Sequence, residues 1–279
     1  RRPPRSTLFP YTTLFRSMML AWITQNKDNF PNNNRYTAKD MMEKIKAIYH
    51  LHGLCQTPFL LVACIEIYHD FIAPLKDNAQ ISRSTIYAKI IQIQIDKSEK
   101  DVPADLRIFK DKKSRILLLQ RLALEYIAQQ ADSLDLQAIQ WSPPLGNRLS
   151  DLKAKMSQIL NRQDPLYKQT KYEKFLEMLS NLSFLSINKD DGTVKFTHLT
   201  FAEYLAGKAI AEDFLDRTRH YPSDSWVNPW FSPTYMTEET CRFFFEIMKK
   251  EPTYSACQQT TTIDDLIKFF ADQIGRAHV

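Results

Sequence analysis

The chain has 279 residues, with 37 Lys and Arg against 32 Asp and Glu, a formal charge of +5. A hydrophobic share of 44% with 25% charged residues excludes a disordered tail, a collagen-like fibre and a coiled-coil rod. Five glycines, against about 20 at average usage, tilt the chain towards helix. Neither G-x-x-x-x-G-K-[ST] nor G-x-G-x-x-G occurs around Gly53, Gly146, Gly192, Gly207 or Gly275, so phosphate-cradling loops of those two kinds are absent.

Both ends read as foreign. Thr7 to Ser17, TLFPYTTLFRS, matches an in-frame translation of a short-read sequencing adapter, and Ile274 to Val279, IGRAHV, matches the start of its partner. Residues 1–17 and 274–279 are therefore expected to be artefact, and the native chain to be cut short on both sides. Removing Arg1, Arg2, Arg5, Arg16 and Arg276 brings the 37 basic groups level with the 32 acidic ones. A basic surface for nucleic acid or anionic lipid then loses its support. Cys55, Cys64, Cys241 and Cys257 form no C-x-x-C pair and no zinc spacing. Scattered thiols without a leader point to a reducing, cytoplasmic setting. The longest apolar run, Pro58 to Ile67, is broken by Glu66 and is too short for a membrane span.

In chain order, Met41, Ile45 and Ile48 predict a helix capped near Thr37 and ending before Gly53. Thr57 as cap and Pro58 at the first helical position open a second helix to Tyr68, apolar on every side and hence buried. Ile72 to Ser84 reads as loop. Ser84 to Lys97 reads as helix, although its repeated isoleucines would also suit a strand. Lys97 to Lys113 reads as a charged linker, and Ser114 to Gln130 as an amphipathic helix. Trp141 to Gly146 and Pro165 read as loop, Arg148 to Leu160 and Tyr172 to Leu182 as helices. In the last of these Phe175, Leu176 and Leu179 point inward.

The period then changes. Phe184 to Asn188 and Thr193 to Thr197 read as strands joined by Lys189-Asp190-Asp191-Gly192, a hairpin signal. Three helices followed by a hairpin is the order of a winged helix. Thr200-Phe-Ala-Glu203 reads as a capping box opening a helix to about Phe214. Glu238 to Lys250 and Ile263 to Asp272 are further candidate helices. The expected fold class is mainly α: a helical domain (18–97), a winged-helix domain with a short β-hairpin (98–215) and the start of a second helical domain (216–273).

Two phrases carry a family resemblance. Phe196 to Gly207, FTHLTFAEYLAG, resembles the F-x-H-x-[ST]-F-x-E-[YF]-x-A signature of NACHT-type STAND P-loop NTPases, and Leu54 to Tyr68, LCQTPFLLVACIEIY, resembles the proline helix after their catalytic core. The order of helical domain, winged helix, histidine motif and second helical domain agrees. The resemblance implies that the residue matching Pro58 packs on the adenine ring, and that the one matching His198 reaches the β-phosphate in the closed state. It implies ATP or ADP as ligand, with magnesium supplied by a core absent from this sequence, and no hydrolysis by this chain alone. That missing N-terminal NTPase core is the implied partner, with self-oligomerisation of the active parent. Phe201, Tyr204 and Leu205 read as core, and Glu203 as a capping residue rather than an acid catalyst.

The alternative reading is an all-helical interaction module, or a DNA-binding winged helix, with no nucleotide role. DNA is disfavoured by Glu173 and Glu177 beside Lys171 and Lys174, and by Asp190 and Asp191 at the wing tip. His50, His52 and Cys55 list metal-ligand types, but residues two apart on a helix diverge. Asp190-Asp191 reads as a turn and Asp264-Asp265 as a helix start, neither as a carboxylate dyad. Deleting 1–17 and 274–279 together is expected to leave the thermal unfolding midpoint unchanged. Loss of cooperative unfolding on that deletion would show that the termini belong to the fold.

Overall fold

A computed structural model describes residues 17, 20, 21, 23–25, 36–47, 58–74, 81–98, 106, 109–130, 132–136, 139, 165–220 and 234–250. The helices expected at Arg148 to Leu160 and Ile263 to Asp272, and the His50/His52/Cys55 and Asp264/Asp265 groups, lie outside them, as do all but Ser17 of the two terminal segments. The described residues are mainly helical with one three-stranded antiparallel sheet. Among them, no helix is long and apolar enough to cross a membrane. Two compact units divide at Ile90 and Ile91.

In the first unit, α1 (Ala38–Ala47) opens with a reciprocal cap. The Asp40 amide donates to Thr37 Oγ1 at 3.1 Å and the Thr37 amide to Asp40 Oδ2 at 3.0 Å. These bonds from Thr37 hold the Asp40 carboxyl below its ordinary range. Met41 and Ile45 of the expected stripe are buried, together with Met42, and Ile48 lies outside the described residues. α2 (Pro58–Glu66) starts on its proline as expected and buries Leu60, Leu61, Ala63, Cys64 and Ile65. The expected loop from Ile72 begins later. Tyr68–Ile72 forms a π-helical turn, with the Ile72 amide donating to the Ile67 carbonyl at 3.3 Å and the Ala73 amide to that of Tyr68 at 2.7 Å. Tyr36 meets the buried Tyr68 ring edge-on at 5.1 Å. Burial, first, and then Tyr36 and Asp40 push the Tyr68 phenol up to about 12.

α3 (Arg83–Ser98) confirms helix over strand for the isoleucine-rich segment. Its far end is closed from the second unit's first long helix, α4 (Lys112–Gln129). The buried Arg115 donates from Nη1 to the Ile95 carbonyl at 2.7 Å and to Ser98 Oγ at 3.0 Å, satisfying the end of α3. Asp111 caps α4, accepting from the Ser114 amide at 3.0 Å, so the helix starts two residues before the expected Ser114. α4 is also less amphipathic than expected: Arg115, Gln120 and Arg121 are buried with the apolar residues, and Arg121 pairs with Glu125. The segment read as a charged linker contributes to the core, because Leu106 and Phe109 are buried and Phe109 meets Phe175 at 5.6 Å.

β1 (Leu134–Asp135) has no counterpart in the sequence reading. α5 (Pro165–Ser180) begins at the proline expected to be loop, the first-turn position where proline loses nothing. Phe175, Leu176 and Leu179 are buried as expected. β2 (Leu185–Asn188) and β3 (Thr193–Phe196) form the expected hairpin, and β1 adds to the other side of β3, giving the order β1-β3-β2. At the turn the Asp191 carboxylate accepts from the Thr193 hydroxyl at 2.7 Å and amide at 2.9 Å, which lowers its pKa. Gly192 takes φ +70°, a left-handed conformation that suits glycine.

α6 (Leu199–His220) runs six residues beyond the expected Phe214. Every residue from Phe201 to Ala211 except Lys208 is buried. It packs on α4 and on α7 (Glu238–Met248). Its small residues let α7 approach closely. A Cβ on Gly207 would lie 2.9 Å from the Thr240 carbonyl oxygen, 3.0 Å from Phe243 Cβ and 3.1 Å from the Phe244 nitrogen. Gly207→Ala therefore forces α7 away, although glycine within a helix is otherwise unfavourable. The expected loss is about 1–3 kcal/mol of stability, measured by denaturant unfolding. An alanine variant as stable as the parent would show that the two helices are not in tight contact.

Candidate functional site

The two residues singled out by the resemblance, Pro58 and His198, belong to different compact units. Pro58 is the first residue of α2. His198 lies between the end of β3 and the first residue of α6. The hairpin continues one bond past β3, with the Thr197 amide donating to the Phe184 carbonyl at 3.0 Å. Phe184 stacks on Phe201 at 5.3 Å, and Tyr126 meets Phe196 edge-on at 5.3 Å. Buried aromatics thus hold the strand end on one side of His198 and the first turn of α6 on the other.

The expected capping box is not how α6 begins. The helix opens one residue before Thr200, and His198 stands in the cap position. Its carbonyl accepts from the Phe201 amide at 3.1 Å. Its Nδ1 lies 2.7 Å from Thr200 Oγ1 and 3.4 Å from the Thr200 amide nitrogen. An amide can only donate, so Nδ1 is the acceptor and the proton of the neutral ring sits on Nε2. Among the described residues Nε2 has no hydrogen-bond partner. Burial lowers the ring's pKa, which keeps it neutral. The result is a half-buried imidazole with a fixed tautomer, one donor left over, and the positive end of a 22-residue helix beside it. Leu199, next to it, is 50% exposed, and is the one exposed large hydrophobic residue among those described.

Glu203, read as a capping residue, is buried in the second turn of α6, and forms no box with Thr200 because Thr200 is already inside the helix and its amide points to His198 Nδ1. Its Oε1 accepts from the Thr237 hydroxyl at 3.0 Å. Thr237 is the N-cap of α7 and accepts from the Thr240 amide at 3.1 Å. Phe201, Tyr204 and Leu205 are buried core, as expected. Thr200, the partner that fixes the imidazole, was legible only as a helix-start residue. Thr237 carries no signal linking it to Glu203, 34 residues earlier. Among the described residues no cluster of three or more His, Cys, Asp or Glu could hold a metal ion. Family models, curated proteins and solved structures include no match to this chain.

The low pKa of His198 has a sign. As pH falls, the unfolded chain takes up its proton first, so the stability that goes with the neutral ring is full above the unfolded value and is lost as pH falls from there through the lower folded value. Nitrogen-detected NMR of the free chain is expected to show the Nε2–H tautomer at neutral pH and a titration midpoint below the ordinary histidine value. Thr200→Val should weaken the tautomer preference. A midpoint at or above that of a model peptide would show that burial does not govern the ring.

Proposed function

We propose that this chain is the regulatory, nucleotide-sensing part of a NACHT-type signalling ATPase, closing over ADP to hold its parent inactive. The observation that carries the reading is His198: a neutral imidazole inside a family-like motif, with Nδ1 used internally, Nε2–H unused among the described residues, and a helix N-terminus beside it. Those features suit a phosphate oxygen. The sheet order β1-β3-β2, with α4 before β1 and α5 before the hairpin, is the order of a winged helix and supports that part of the reading. Pro58 is the first residue of α2, the helix start at which the resemblance implies an adenine contact.

When bound to the parent's core, the nucleotide supplies an anionic phosphate. His198 then donates from Nε2 and holds the end of the hairpin closed on the core. Without that bridge the same segment is released and the parent is free to self-associate, a population shift with a bias of a few kcal/mol at most. Neither of the two phosphate-cradling glycine patterns occurs in the sequence, so this reading assigns hydrolysis to the core. A DNA-binding winged helix fits less well, because the Asp191 carboxylate at the wing tip is retained and its pKa lowered.

The test is His198→Ala in the core-containing parent. A hydrogen bond of about 1.5–3 kcal/mol to a charged group predicts ADP release roughly ten- to a hundredfold faster, with a small change in unfolding temperature. Unchanged release in a folded variant overturns the phosphate role. ATP turnover by the isolated chain, above a heat-denatured control, overturns the division of labour between chain and core.

A further inference from the structure

We infer that the buried carboxylate of Glu203 is the positioning residue that fixes α7 on α6, a latch that makes the two helices open as one unit. Glu203 is buried, and a buried carboxylate persists only where it is well matched. Its partner is the cap residue of the next helix. The Thr237 hydroxyl has one proton, and it goes to Glu203 Oε1 at 3.0 Å. The contact between Thr237 Oγ1 and Thr240 Oγ1, 2.9 Å apart, must then be donated by Thr240, and the Thr240 amide donates to Thr237 at 3.1 Å. Thr240 is fully buried. The carboxylate thus orients a hydroxyl that caps α7 and adds a negative charge over that helix's N-terminus, where the dipole favours it.

The rest of the interface leaves no slack. Gly207 brings the α6 backbone against that of α7. Tyr204 meets Phe243 edge-on at 5.5 Å, and Phe214 meets Phe244 at 6.0 Å. The polar anchor at one end and the close backbone contact one turn on define a single register. Glu203 lies in the second turn of α6, and His198 immediately precedes that helix. Through the latch, a displacement of that end reaches α7. The latch itself holds whether or not the chain binds a nucleotide.

Hydrogen exchange on the full chain separates this from a general core role. In the parent sequence, amides of Leu205 to Ile210 in α6 and Phe243 to Phe245 in α7 are expected to share one opening free energy. Glu203→Ala and Thr237→Val should each speed exchange in α7 by roughly ten- to a hundredfold, the equivalent of a charged hydrogen bond, while Leu118 to Leu122 in α4 keep parental protection. The double variant should be no worse than the worse single one. Glu203→Gln, which keeps an acceptor, and Thr237→Ser, which keeps the hydroxyl, should retain most of the protection. If Glu203→Ala does not fold, Thr237→Val against Thr237→Ser decides. Parental exchange in α7 of a folded Glu203→Ala or Thr237→Val, additive effects in the double variant, or equal acceleration in α4 and α7, each overturns the latch.

Discussion

A helix buried on nearly every side keeps only those polar groups for which a partner is built. α6 is such a helix, and the second unit is arranged around its needs. Glu203 has the Thr237 hydroxyl. Glu212 has Gln120 Nε2 from α4 at 2.9 Å and Lys208 Nζ at 3.0 Å. Gln120 and Thr237 belong to α4 and to the start of α7, which also pack on α6, so there hydrogen bonding and packing select the same neighbours, while Lys208 is a partner within α6 itself. The small residues Ala202, Ala206, Gly207, Ala209 and Ala211 set how near those neighbours come.

His198 stands at the N-terminal end of α6. A histidine in a cap position has two nitrogens and one local obligation. Meeting the obligation with Nδ1 makes the other nitrogen a donor by elimination. Local backbone geometry, rather than a nearby charge, therefore fixes which atom the residue presents. Burial shifts its titration, and among the described residues no carboxylate acts to hold a proton on the ring.

Much of this was legible in the sequence, for identifiable reasons. The hairpin was read because alternating residues flank an Asp-Gly turn, and the turn demands a left-handed glycine. The cap of α1 near Thr37 is legible because a threonine precedes the apolar stripe, while its reciprocal bond with Asp40 emerges only in the structure. β1 was missed because two residues carry no period and owe their pairing to β3, some sixty positions on. The segment before α4 was read as linker from its charges, and its two anchors, Leu106 and Phe109, are too sparse to form a pattern. Pro165 reads as loop in the sequence but is the first residue of α5. At the site, the sequence pointed to His198 and placed Glu203 at the correct helix but in the wrong relationship. Its partner lies across a tertiary contact that no local spacing encodes.

The bond between Gln120 and Glu212 joins positions 92 residues apart. The stack of Phe184 on Phe201, by contrast, closes only the hairpin and the first turn of the following helix. Loop closure grows costlier with the length enclosed. The hairpin and α6 can therefore assemble as a local nucleus, and the docking of α4 must wait for the intervening chain to be gathered in. Until then α6 exposes the apolar face that α4 will cover. The order of assembly leaves this helix, buried from Phe201 to Ala211 except at Lys208, exposed to wrong partners while the chain is being made.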